Sequence, residues 1–150
     1  MILLVLLAWG TAFAQDDNLN IDLFCPQSAS YGAGSNKLNV TASFENCDCQ
    51  AITVQRYMSG LIANSSSSQG QLGSVAVYGP YARWTSTALT IPAATCPQGW
   101  PESPGVLNNQ TIYVMNVPNV PGRMAMAFVN FITNQGAEIT GESCMVSILP

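Results

Sequence analysis

"KLNVTASF", residues 37–44, alternates without a break. Leu38, Val40, Ala42 and Phe44 fall on one side, with Asn39, Thr41 and Ser43 on the other. A repeat of two residues is what a β-strand needs to bury one face and keep the other wet. The same repeat recurs outward from this stretch, whereas no apolar stripe of helical period persists anywhere in the 150 residues. Ile52 and Val54, continuing to Tyr57 and Met58, read as a strand, as do Val75–Tyr78 closed by Gly79-Pro80, the Thr-rich 84–91, and Ile112–Val117. The segment from Gly60 to Gly70, with Ser65 to Ser68, reads as a flexible loop. Pro92, Pro97, Pro101 and Pro104 exclude regular structure from 92 to 105, because proline lacks the N–H of a ladder.

Met124–Thr133 is the strongest strand signal. Met124, Met126, Phe128 and Ile132 face one way, and Ala125, Ala127, Val129 and Phe131 the other. With both sets apolar, the strand is expected to be central and buried on both faces. Asn134-Gln135-Gly136 then supplies a hairpin turn, and Cys144, Val146 and Ile148 alternate in the last strand. About seven or eight short antiparallel strands, with turns between them, indicate an all-β fold, an immunoglobulin-like β-sandwich.

The chain opens with an apolar run, Met1–Trp9, too short to cross a bilayer as a helix, followed by Ala12-Phe13-Ala14. That is a secretory signal pattern with cleavage expected before Gln15, so 1–14 is read as the leader and 15–150 as one secreted domain. Asn39-Val40-Thr41, Asn64-Ser65-Ser66 and Asn109-Gln110-Thr111 are glycan acceptor sequons, which suits an extracellular glycoprotein. The net charge is −4, with Lys37, Arg56, Arg83 and Arg123 the only cations. So few positive charges argue against nucleic acid, whose phosphates need clustered Lys and Arg.

The five cysteines are Cys25, Cys47, Cys49, Cys96 and Cys144. In a secreted chain they read as disulfides, with one thiol left over. Cys47-Asp48-Cys49 lacks the second pair, or any histidine, that would complete a metal site. The absence of histidine also removes the commonest general base and any Ser-His-Asp or Cys-His nucleophile. Glu138/Glu142 and Glu45/Asp48 are the close carboxylate pairs beyond the N-terminal region, and they read as solvated charges at hairpin ends rather than as a glycosidase pair. The expectation is a protein that is not an enzyme and carries no metal or other cofactor.

Two segments together resemble the ML lipid-recognition family, the secreted sandwich that includes the Niemann–Pick cholesterol carrier and the group 2 mite allergens. One is Gly34 followed by Leu38, Val40, Ala42 and Phe44. The other is Cys96-Pro97, Tyr113, the link Asn116-Val117-Pro118, the strand from Met124 to Ile132, Gly136, Cys144, and Val146 to Ile148. Cys47 and Cys49 have no counterpart in the family pattern. The resemblance implies a first-to-last disulfide between Cys25 and Cys144, placed just before the first strand and within the last. Cys96 is then expected to pair with Cys47 or Cys49, leaving the other free or joined to another molecule. It also implies an apolar ligand, a lipid or sterol, held between the two sheets. Phe44, Ile112, Val114, Met124, Met126 and Phe128 are the expected lining. The competing expectation is a structural subunit of an extracellular filament, coat or adhesive layer, self-assembled by strand addition.

Overall fold

A computed structural model of the chain describes residues 18–32, 36–64, 75–81, 87–120, 122–133 and 138–150. The segment 1–14 expected to be a leader, the sequon residues Ser65 and Ser66, and the turn expected at Asn134-Gln135-Gly136 lie outside them. Among the described residues there are nine strands and no helix: β1 (Leu19–Phe24), β2 (Ser28–Ser30), β3 (Lys37–Asn46), β4 (Ile52–Asn64), β5 (Val75–Tyr81), β6 (Leu89–Ile91), β7 (Gly105–Asn116), β8 (Arg123–Thr133) and β9 (Glu138–Leu149).

The strands form two sheets packed face to face, a β-sandwich. The smaller runs β1-β3-β7. The larger runs β2-β9-β8-β4-β5, with β6 pairing the first residues of β4. All pairings are antiparallel except β2, which runs parallel to β9. Leu38, Val40, Ala42 and Phe44 of β3 are completely buried, as their alternation requires. They share a core with Val54, Leu61 and Ala63 of β4, Ala125, Ala127, Val129 and Phe131 of β8, and Val146 and Ile148 of β9. The Phe44 and Phe131 rings meet edge to face across the sandwich, with centroids 5.5 Å apart, the geometry that ring quadrupoles favour.

The structure corrects several expectations. β1 precedes Cys25 instead of following it, because Leu19 and Ile21 bury one face while Asn20 and Asp22 stay outside. The segment from Gly60 to Asn64 is not loop. It completes β4, where Leu61 and Ala63 point inward and Gly60 lies under the Phe128 ring, too close to admit a Cβ comfortably. Of the Thr-rich strand expected at 84–91, residues 84–86 lie outside the described set, and Leu89–Ile91 is strand. The strand expected at Ile112–Val117 begins already at Gly105.

β8 is central, between β9 and β4, but only one of its faces is in the core. Both of its alternating sets are apolar, so periodicity could not choose between them. The interior takes Ala125, Ala127, Val129 and Phe131, and the bulkier Met124, Met126 and Phe128 go outside.

Cys25 is bonded to Cys144 and Cys49 to Cys96, and Cys47 is free. The first bridge ties the end of β1, in the small sheet, to β9, in the large one. The second anchors the proline-rich segment to the turn after β3. Asn46 completes that anchor: fully buried, it donates to the carbonyls of Gln50 and Pro92, and its Oδ1 accepts the Asp48 N–H.

Candidate functional site

The site is set by two breaks in regular pairing. On β7, Val40 pairs Tyr113 but Thr41 pairs Thr111, so Ile112 is an extra residue with no partner on β3. A bulge of this kind turns two consecutive side chains to one face, which is why Ile112 and Tyr113 are both buried. On β4, Arg56 pairs Phe131 but Met58 pairs Asn130, leaving Tyr57 as the extra residue. That shift keeps Val54 and Arg56 in phase with Ser59, Leu61 and Ala63, all toward the small sheet.

Arg56 therefore extends between the sheets. Its Nη1 donates to the carbonyl of Ile112, the bulged residue of β7, at 3.0 Å. Nearby, the buried Tyr113 hydroxyl donates to the Gly60 carbonyl at 2.7 Å. These two bonds join the sheets along the β7/β4 side.

Around Arg56 is a pocket of about 270 Å³ lined by Val54, Arg56, Thr87, Leu89, Thr111, Ile112 and Phe131. Its walls are Val54, Ile112 and Phe131, all buried, with half-buried Leu89. Thr87 and Thr111 are exposed and mark the mouth. The arrangement offers an apolar body site beside a guanidinium and two hydroxyls. Among the described residues the lining contains no carboxylate, and no three His, Cys, Asp or Glu side chains converge elsewhere.

Of the lining expected from the sequence, Ile112 is in the pocket, and Phe44 stands behind it against Phe131. The other four are misplaced. Val114 is 45% exposed on the outer face of the small sheet, paired with the equally outward Asn39. Met124, 56% exposed, and the half-buried Met126 and Phe128 are on the outer face of the large sheet. Val54, Arg56, Thr87, Leu89, Thr111 and Phe131 were missed. Arg56 had a signal: it falls in step with Ile52 and Val54, a cation on an inward phase.

On the opposite side of the sandwich, Glu142 is not a hairpin-end charge but part of β9. Partial burial pushes its pKa above the ordinary value, and the nearby Asp22 carboxylate adds to the rise. Two sequon asparagines, Asn39 and Asn109, are exposed. Asn109 sits at a second irregularity of β7 with φ 54°, a left-handed conformation that asparagine tolerates. The side chain of the third, Asn64, is outside the described set.

No protein-family model and no curated protein matches the chain. Among solved structures it is similar to a Northeast Structural Genomics Consortium target, SoR45, at 11% identity and a TM-score of 0.43, over 89% of each chain. A likeness of that order says nothing about ligand or activity.

Proposed function

We propose that the protein is a secreted, non-enzymatic carrier that holds one small, largely apolar molecule between its sheets. The observation that carries this reading is the pocket between β4, β6 and β7, with Val54, Leu89, Ile112 and Phe131 as walls. Its volume of about 270 Å³ is near the lower end of ligand sites, roughly 300–1,000 Å³, which suits a small molecule. Each Å² of apolar ligand surface withdrawn from water contributes about 25 cal/mol. Two disulfides fit an oxidising compartment. The exposed sequon residues Asn39 and Asn109 fit glycosylation there. The resemblance to the ML family implies the same class of ligand.

The test is extraction of the purified protein with organic solvent, with mass spectrometry of the extract, followed by titration with a fluorescent medium-chain lipid. Co-purified ligand or saturable uptake by a folded monomer supports the carrier. Neither, from a folded monomer, defeats it.

One observation favours a second reading, assembly through the large sheet. Met145, Met126, Ile62 and Val77 lie in register across β9, β8, β4 and β5, forming an apolar row on the outer face. Its two ends, Met145 and Val77, are each 51% exposed. Sedimentation that shows ordered polymers in place of a monomer would move the assignment to a structural subunit.

A further inference from the structure

We propose that the outer face of the large sheet binds a cuprous ion, Cu(I), through the thioether sulfurs of Met124, Met126 and Met145. The inference is independent of the pocket and goes beyond the carrier reading. Three observations carry it. The first is arrangement. Met126 is the direct cross-strand partner of Met145, and Met124 precedes Met126 by one step on the same face of β8. The Cβ atoms of a direct pair lie about 4.5–5.5 Å apart, and those of a diagonal pair, here Met124 and Met145, about 7–8 Å. Unbranched side chains with several rotatable bonds can bring their sulfurs together above such a triangle. The second is exposure. Met124 and Met145 are each more than half exposed, and Met126 is half-buried. β8 buries Ala125 and Ala127 and leaves its methionines outside, the reverse of what burial of apolar area favours. The third is positioning. Ser147, the partner of Met124, donates its hydroxyl to the Met124 Sδ at 2.9 Å. That bond draws the sulfur over β9, on the face that Met145 shares, and leaves it a second lone pair for a metal.

The donor set selects the ion. Thioether sulfur is soft and uncharged, which suits Cu(I). Zinc takes thiolate, imidazole or carboxylate, and calcium and magnesium take oxygen. The chain has no histidine. Glu142 pairs the buried Val129 and so falls on the other face of the sheet. Around the triangle the same face carries Ile62, opposite Met126, and Phe128, both apolar and neither a competing ligand. Thioethers also suit the oxidising compartment that the two disulfides fit, because they form no disulfides, whereas thiols there do.

The experiment is anaerobic titration of the full chain with Cu(I) against the chromophoric chelator bicinchoninate. It is run on Cys47→Ser, so that the free thiol supplies none of the signal. Uptake of a single ion per chain is expected. Met126→Leu and Met145→Leu keep the volume and the apolar surface at solvent-facing positions, so melting curves without metal should match the parent. Each should weaken Cu(I) binding at least about tenfold, the least that disturbing even an outer-shell partner of a metal costs. Met58→Leu, at an exposed methionine of β4, should keep full affinity. In methyl NMR, Ag(I), a redox-inert ion of the same softness, should shift the signals of Met124, Met126 and Met145 and leave that of Met58 in place. If Cys47→Ser takes up no Cu(I), if either Met126→Leu or Met145→Leu retains full affinity, or if Met58→Leu loses as much as they do, the assignment falls and the carrier reading is untouched.

Discussion

Replacing Phe131 with alanine tests the interior that the site depends on. Phe131 is 1% exposed, contacts Phe44 edge to face, and forms one wall of the pocket. Removal of a buried phenyl costs about 3–5 kcal/mol from lost transfer energy plus the cavity left behind. The aromatic pair adds roughly 0.5–1.5 kcal/mol beyond area. The space left by the ring, however, merges with a pocket that already reaches solvent through Thr87 and Thr111. Water can enter it, so the cavity share of the loss shrinks. The expectation for Phe131→Ala is thus about 3 kcal/mol, at the lower end of the range. Urea unfolding should show it as a lower midpoint with little change in slope, because the surface exposed on unfolding is nearly the same. A cycle with Phe44→Leu should give a coupling of about 1 kcal/mol. If the carrier proposal holds, the enlarged pocket should also take up longer chains. A loss under about 1 kcal/mol, or no coupling, would refute the placement of Phe131 between the sheets.

Three further outcomes follow from the fold. Loss of the Cys25–Cys144 bridge, whose ends are 119 positions apart, should cost about 4.9 kcal/mol in the chain-entropy treatment, against about 4.0 kcal/mol for Cys49–Cys96, whose ends are 47 apart; urea unfolding of the paired Cys→Ser variants checks both the size and the order. Gly105→Ala should destabilise by about 2–3 kcal/mol, because a Cβ there runs into the Pro92 and Ala93 carbonyls and Asn46 holds Pro92 in place; an unchanged melting temperature would contradict that packing. Glu142, whose pKa is raised in the fold above the ordinary 4.5, binds its proton more tightly folded than unfolded, so its contribution is present below pH 4.5 and is lost as pH rises through the folded-state value. Glu142→Gln should therefore melt higher than the parent at pH 7 and together with it near pH 3, and the reverse order in a pH series of melting curves would contradict the burial of that carboxyl.

The sandwich was legible because sheets impose period 2 wherever one face is buried, and Leu38 to Phe44 shows that period cleanly. The first strand was as legible in Leu19, Ile21 and Leu23, but its closeness to the apolar N-terminal run hid it. β2 could not be read at all: three residues, Ser28–Ser30, carry no period, and a parallel pairing with β9 is a property of the whole chain path. The inward face of β8 was undecidable for a different reason. When both sets are apolar, size does not tell which set the opposing sheet will accept, and here the smaller alanines are inside. The pocket was hidden because it is made by two bulges. Each adds one residue, changes the phase of everything beyond it, and leaves no mark in composition. Arg56 is the exception, since its step with Ile52 and Val54 already marks an inward phase.

The nested bridges also decide how the protein carries load. The Cys49–Cys96 link lies wholly within the span closed by Cys25–Cys144. A pull on Asn18 and Pro150 would strip only the tails outside the outer bridge, 18–24 and 145–150, a gain of contour on the order of 40 Å. Beyond that point the tension passes through the sulfur–sulfur bond and bypasses every ladder between. The residues inside, 26–143, which could otherwise pay out roughly 400 Å, remain slack while the bond holds. Force applied at the ends therefore never reaches the pocket in the oxidised protein, and a reductant would turn a short, stiff link into a long extensible one.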